Sequence, residues 1–329
     1  MPFFISVFFG FIPMLLFAAF IYWLDRFEKE PVKLLGIAFT WGALITAGTA
    51  FLINTFLGTG IYVFTGSEDI ASLTTGSLVA PIVEETLKGL AVLLVFFLVR
   101  SEFDSVLDGI VYSAVVALGF AATENTYYIF DHGYLQNGWL GLIGLIVVRV
   151  FLVGWQHPFY TAFFGIGLAV SRLSRSNTLK WIAPFLGWTA AVFLHSVHNT
   201  MSDLFSGSTG LLLTTSYDWV GWLSMLLFIL WMVRKEKGLI IKYLQDEQLQ
   251  GTITESQYIT ACSPWAQGQA RWKALSSGKF RITNRFYQVC AEMAHKKNQV
   301  SAVGEETGNS AIINNLRQEL ITLSPKIFS

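Results

Sequence analysis

From Ile70 to Val99 the chain is apolar for long enough to cross a bilayer, yet Glu84, Glu85 and Lys88 sit inside that run. An ionisable side chain at membrane depth is costly, and it persists where it faces a protein interior and has a task there. The pattern recurs. Glu124 lies in the next apolar run, His157 in the one after, and His195 with His198 in the one after that. Backbone that crosses lipid must satisfy its own hydrogen bonds, so runs of this length form helices. The chain is therefore constrained to a helix bundle whose interior holds acid, base and imidazole groups. Such an interior suits an intramembrane enzyme, or a proton or ion pathway.

Composition agrees. The 329 residues are 53% hydrophobic and 13% charged, with mean hydropathy +0.52, whereas soluble domains carry about 25% charge. Apolar runs place helices near 3–24, 34–56, 78–100, 106–130, 145–171, 181–203 and 214–233, the last interrupted by Asp218. Residues 70–77 and 139–144 read as interfacial or re-entrant pieces. Lys and Arg fall in loops 25–33 and 172–180, at Arg100 beside loop 101–105, and at Arg234, Lys235 and Lys237. Loops 57–69, 131–144 and 204–213 have none. By the positive-inside rule the N-terminus is extracytoplasmic, the C-terminus is cytoplasmic, and seven passes fit. The first run has no basic start and no small-residue cleavage pattern, so 3–24 reads as a retained helix and not a signal peptide.

From Arg234 onward there are thirteen Lys and Arg against eight Asp and Glu. The expected organisation is a transmembrane domain over 1–234 and a soluble, mainly helical cytoplasmic tail over 235–329. Amphipathic stretches near 238–249, 279–297 and 311–322 supply the tail's helices, and 299–310 is expected to be flexible. The basic excess fits positive-inside bias and solvation; no phosphate loop or nucleic-acid motif accompanies it. Cys262 and Cys290 read as free thiols of a reducing compartment.

The polar residues share a depth. At 1.5 Å of rise per residue, Glu84, Glu124, His157 and His195 lie roughly 21–27 Å from the cytoplasmic ends of their helices. They also have helical spacing. Glu84 and Lys88 are i,i+4, and Glu85 is three residues before Lys88. Phe120, Glu124 and Tyr128 step by four, as do His157, Thr161 and Gly165, and His195 and Asn199. One shared cluster is the economical reading. It permits amide hydrolysis: a carboxylate activates water, a second carboxylate or a histidine handles the proton, and an Asn or His donates to the oxyanion. Lys88 can keep one glutamate ionised. Bland roles also exist: a structural Glu–Lys pair, interhelical hydrogen bonds from His, a snorkelling Arg149, an aromatic belt at Tyr127 and Tyr128, and His198 as a bystander.

Taken in order, these residues become specific. Glu84-Glu85-Thr86-Leu87-Lys88 fits an EExxK motif, and Gly119-Phe120 through Glu124-Asn125 to Tyr128 a GFxxxEN motif with a following Tyr. His157-Pro158 through Thr161 to Gly165, and His195 to Asn199, complete the set. Tyr22 through Asp25 to Glu30-Pro31, and Asp108-Gly109 with Tyr112, flank it. Across residues 20–235 the chain resembles the PrsW family of intramembrane proteases, and more distantly the CAAX-processing prenyl endopeptidases. The resemblance implies a multi-pass endopeptidase of the cell membrane that cuts a single-pass, membrane-anchored substrate of the anti-sigma-factor kind. It also implies site residues. Glu84 and Glu85 become the base and its partner, His157 a proton-handling or water-positioning group, and His195 with Asn199 an oxyanion clamp. Where the CAAX enzymes have FxxxH, this chain has Phe120 through Glu124, which adds a third carboxylate. No HExxH is present, and the site is expected to work without a metal. A zinc ion, if used, would draw on Glu84, Glu85, Glu124, His157 and His195. The rivals are a proton or ion transporter using the same Glu/His cluster, and an inactive scaffold whose tail is the functional part.

Overall fold

The structure, a computed structural model, describes residues 1–100, 103–205, 207–305 and 308–327. The chain is 89% helical, and no strand occurs among the described residues. Parts of the predicted loops 101–105 and 204–213, and of the segment 299–310, lie outside those residues. The rest of 299–310 is helical up to Val303 and again from Asn309.

Among the described residues, four helical stretches are long and apolar enough to cross a membrane: Pro2–Leu24, Val32–Thr65, Val106–Arg172 and Gly207–Leu249. The first is α1 (Pro2–Leu24). The second comprises α2 (Val32–Trp41), a π-helical stretch and α3 (Ala47–Thr65). Next come α4 (Glu68–Thr74), a second π stretch at Thr75–Val79, and α5 (Ala80–Leu98). The third stretch holds α6 (Val106–Tyr128), π turns at Ile129–Leu135 and Val147–Leu152 around α7 (Gln136–Ile146), and α8 (Gln156–Arg172). Then follow α9 (Asn177–Leu204) and α10 (Gly207–Leu249). α5 and α9 lie outside the four. They are the helices that carry Glu84, Glu85 and Lys88, and His195, His198 and Asn199.

Three expectations change. Loop 57–69 is mostly helix, since α3 runs to Thr65 and α4 starts at Glu68 behind a Ser67 cap. The segment 131–144, expected as a loop with a re-entrant piece, is a helical hairpin in which the first π turn packs on α7 across a kink at Gly138. The π turns themselves were not foreseen. Pro81 accounts for one of them. It has no N–H to donate, and its ring crowds the carbonyl four residues back, within Thr75–Val79.

α6 is the core helix. It is buried almost all round from Leu107 to Ala122, the pattern of a helix enclosed by others. A capping box starts it: Ser105 Oγ accepts from Asp108 N, and Asp108 Oδ2 accepts from Ser105 N at 2.6 Å, worth about 1 kcal/mol. Small residues bring neighbours to backbone contact. A β-carbon at Gly165 of α8 would lie 1.9 Å from the Gly109 carbonyl oxygen, and one at Gly109 2.2 Å from that of Gly165. Only glycine allows this approach, so Glu124 and His157 ride on helices of fixed spacing.

The chain divides into two compact units. The first holds residues 1–23, 30–171 and 178–227 and contains all the candidate site residues. The second gathers 24–29, 172–177 and 228–329. It contains the C-terminal part of α10, α11 (Glu255–Ala261), α12 (Pro264–Ser276), α13 (Phe280–Val303) and α14 (Asn309–Leu323). Phe27, Ile240, Leu244, Phe286, Cys290 and Leu320 share its core. The Lys29 backbone and the Gln288 amide exchange two hydrogen bonds of 3.0 and 3.1 Å, and Arg175 donates to the Ser301 carbonyl at 3.1 Å. α11 and α12 were not foreseen in the sequence.

Candidate active site

α5 begins just after its π turn, and its buried face presents Glu84, Glu85 and Lys88 together. Lys88 Nζ is fully enclosed. It donates to Glu85 Oε1 at 2.9 Å and Glu84 Oε2 at 3.4 Å. It also meets His157 Nδ1 at 3.1 Å and lies 4.0 Å from the centre of the Phe120 ring.

The two glutamates differ. Glu85 is firmly held: besides Lys88, it accepts from Thr161 Oγ1 at 2.8 Å and from His195 Nδ1 at 3.0 Å. Glu84 is loosely held. Among the described residues its other polar contacts are Asn54 Nδ2 at 3.4 Å and His195 Nε2 at 4.0 Å.

His157 stands near the start of α8, where Pro158 costs nothing because first-turn N–H groups have no helical partner. Its Nε2 meets Glu124 Oε2 at 2.8 Å. A carboxylate only accepts, so Nε2 carries the proton and Nδ1 keeps the lone pair that faces Lys88. The Gln156 amide also reaches Nε2, at 3.3 Å, and its partnerless Oε1 is the end that suits an N–H. By the same logic His195 donates from Nδ1 to Glu85 and keeps its lone pair on Nε2. The two imidazoles meet edge to face with centroids 5.3 Å apart.

Arg149 corrects an expectation. It does not snorkel to the interface. Its Nη2 donates to Glu124 Oε2, its Nε donates to Asn125 Oδ1 at 2.9 Å, and its guanidinium lies over the Tyr128 ring. The π turn at Val147–Leu152 carries it back to α6. Asp218, which breaks the last apolar run, is 4% exposed. It accepts from Tyr160 OH at 2.6 Å and pairs with His198 Nδ1 at 3.0 Å. The Tyr160 ring in turn stacks on His195. Asn199 stands apart from this cluster; its Nδ2 donates to the Gly76 carbonyl at 2.8 Å, inside the π turn before α5.

A cavity of about 750 Å³ opens onto the cluster, lined among others by Asn54, Glu84, Phe120, Glu124, Tyr128 and Asp203. Glu84 and Glu124 face it, whereas Glu85 and Lys88 do not. Seven residues were expected at the site. Glu84, Glu85, Lys88, Glu124, His157 and His195 form one connected network, and Asn199 lies at the cavity edge through Gly76. Asn54, Arg149, Tyr160 and Asp218 join it unforeseen. Each is a polar residue in an apolar run, the same signal that singled out Glu84.

Glu84, His157 and His195 also offer ligand atoms within 4.8 Å of one another, close enough to hold one metal ion. The ligand types suit zinc, and Glu124 and Glu85 orient the two imidazoles as outer-shell carboxylates do. The arrangement nevertheless fits no ion as folded. An imidazole nitrogen has one lone pair, and that of His157 Nδ1 is taken by Lys88.

The sequence matches the family described as PrsW family intramembrane metalloprotease over residues 30–232. It is similar to Protease PrsW of Bacillus subtilis (strain 168), with 26% identity over 231 residues that cover 69% of this chain and 92% of the relative. Protease PrsW of Geobacillus kaustophilus (strain HTA426) is 28% identical over 194 residues, covering 58% and 76%. That of Clostridioides difficile (strain 630) is 35% identical over 120 residues, covering 36% and 48%. No solved structure matches the chain. With the matched region spanning α2 to α10 and the Glu84, Glu124, His157 and His195 motifs in order within it, the chain belongs to the PrsW family and is an intramembrane protease.

Proposed function

We propose that the enzyme is an endopeptidase that hydrolyses a membrane-anchored, single-pass protein of the anti-sigma-factor kind, with Glu84 as the general base. One observation carries the assignment. Of the two adjacent glutamates, Glu84 faces the cavity and is held by long contacts, while Glu85 is turned away from it and accepts three short hydrogen bonds. A base needs a free lone pair next to water; an anchor needs the reverse.

In this reading Glu84 takes a proton from a cavity water as the oxygen attacks the scissile carbonyl. It returns that proton to the amide nitrogen as the C–N bond breaks. His195 keeps its acceptor nitrogen 4.0 Å from Glu84 Oε2, within reach of the proton that Glu84 handles. Lys88, Glu85 and Thr161 fix the α5 face against α8 and α9. Asn199 has its second amide hydrogen to offer to the oxyanion at the Gly76 edge of the cavity. A resident metal, were Lys88 displaced, would supply Lewis-acid activation of that water; no step above depends on one.

The same proposal places the N-terminus outside, the tail inside, and seven passes between. The joining of 24–29, 172–177 and the tail in one compact unit supports it, since such segments must share a side. The test of function is cleavage of a single-pass membrane peptide by purified protein in detergent, with no ion gradient. Cleavage by the wild type and none by Glu84→Gln supports the reading. Equal cleavage by both overturns it, and ion flux without cleavage would return the cluster to a proton path.

A further inference from the structure

The family is described as metalloproteases, yet the position an ion would need is held by an ammonium. We infer that Lys88 is a built-in cation that competes with divalent metal for the lone pairs of His157 and Glu84, so that this chain takes zinc tightly only once Lys88 is removed.

The argument is one of valence and space. His157 Nε2 spends its hydrogen on Glu124, which leaves a single lone pair on Nδ1. Lys88 Nζ occupies it at 3.1 Å. A zinc ion on the same lone pair stands about 2.0–2.1 Å from the nitrogen, which puts it on top of the ammonium. Lys88 also holds Glu84 Oε2, the second ligand. Metal binding must therefore pull the ammonium away from Glu84, its ion-pair partner, and from the His157 lone pair. Breaking a buried ion pair by removing one partner is strongly unfavourable.

Removing the ammonium reverses the balance. Glu84, His157 and His195 then form a two-His, one-carboxylate set. Glu124 and Glu85 already hold the outer nitrogens in the tautomers that metal ligation needs. The site is built for a cation of some kind, and the lysine decides which.

The inference builds on the proposed function, in which this cluster is the reactive centre, but its test does not depend on cleavage. Full-length protein in detergent is titrated with Co²⁺, whose tetrahedral complexes absorb strongly in the visible, and with Zn²⁺ against a chromophoric chelator. Lys88→Met should bind one ion per chain roughly 100-fold or more tighter than the wild type. Lys88→Arg, which keeps the cation, should not. Adding His157→Ala to Lys88→Met should abolish the gain. Should Lys88→Met misfold because two carboxylates lose their counter-charge, Lys88→Met with Glu85→Gln removes one of them and serves the same titration. The idea is overturned if wild-type protein binds one zinc tightly through His157 and His195, or if removing Lys88 leaves affinity unchanged. Loss of cleavage in Glu84→Gln together with unchanged metal affinity in Lys88→Met would sink this inference and spare the protease reading. The opposite pair of results would do the reverse.

Discussion

Tyr160 lies nearly flat against His195, with ring centroids 5.1 Å apart and 24° between the planes, while its hydroxyl is held by Asp218 at 2.6 Å. The imidazole is thus pinned on two sides: Glu85 fixes its Nδ1, and the stacked ring fixes its plane. Tyr160→Phe keeps the stack and loses a hydrogen bond to a charged acceptor. It should destabilise the fold by roughly 1.5–3 kcal/mol and lower kcat only slightly. Tyr160→Ala frees the ring of His195 and should cut kcat far more, with KM little changed. Thermal melting in detergent beside steady-state cleavage separates the two. Equal kcat for Phe and Ala would show that the stack does nothing for His195.

The unequal settings of the adjacent glutamates lead to unequal variants. Glu84→Gln removes a proton acceptor and little else, so turnover should fall by roughly 10²–10⁴ with melting temperature almost unchanged. Glu85→Gln disturbs Lys88, Thr161 and His195 together, so it should lose both turnover and thermal stability. A Glu85→Gln protein that melts like the wild type while Glu84→Gln unfolds would exchange the two roles.

Arg149 should matter to turnover although it is a second neighbour of the cavity. Arg149→Met releases Glu124, and through it His157, and should slow cleavage by roughly 10–100-fold, the usual cost of losing an outer supporting group. Arg149→Lys should not restore the rate, because a point charge cannot hold Glu124 and Asn125 at once. Full activity in Arg149→Lys would leave charge alone as the requirement.

The tail's thiols offer a pH test. Burial pushes the Cys290 and Cys262 thiols up from their ordinary range. Native protein at pH 8 should therefore react with a thiol reagent at least about 100-fold more slowly than denatured protein. The linkage has a definite sign. Above the unfolded thiol's pKa, about 8.5, the unfolded chain releases protons that the folded chain keeps, so stability falls as pH rises from there. The fall should lessen in Cys290→Ala, read by denaturant melts of the full-length protein between pH 8 and 10.

Because those native thiols are shielded, single added cysteines report topology. On intact cells an impermeant reagent should label a cysteine at Ser208 and spare one at Ser174. Labelling in the reverse pattern would invert the proposed orientation.

Much of the site was legible because helical spacing converts sequence into faces. Glu84 with Lys88, and His157 with Thr161, needed only a period of 3.6 and a shared depth to be grouped. Arg149 was not legible. Its partners, Glu124 and Asn125, lie across a helical hairpin, and only the π turns and the Gly138 kink bring it back to them. Asp218 was read as a flaw in an apolar run because its partners, Tyr160 and His198, sit on two other helices. α11 and α12 were missed because their buried positions include Gln257 and Gln267, which break the apolar period that marks a helix. Asn199 was grouped with His195 by spacing alone, whereas its amide reaches Gly76.

The bare contact of Gly109 with Gly165 welds one seam of the bundle shut. Helices kept apart by side chains can part through rotamer changes; helices that touch backbone to backbone have nothing left to rearrange. The seam where Gly109 meets Gly165 cannot serve as a door. The open space beside Glu84 lies elsewhere, on the flank lined by Ala47, Gly48 and Gly76, and a substrate segment that used it would meet side chains too small to block its way.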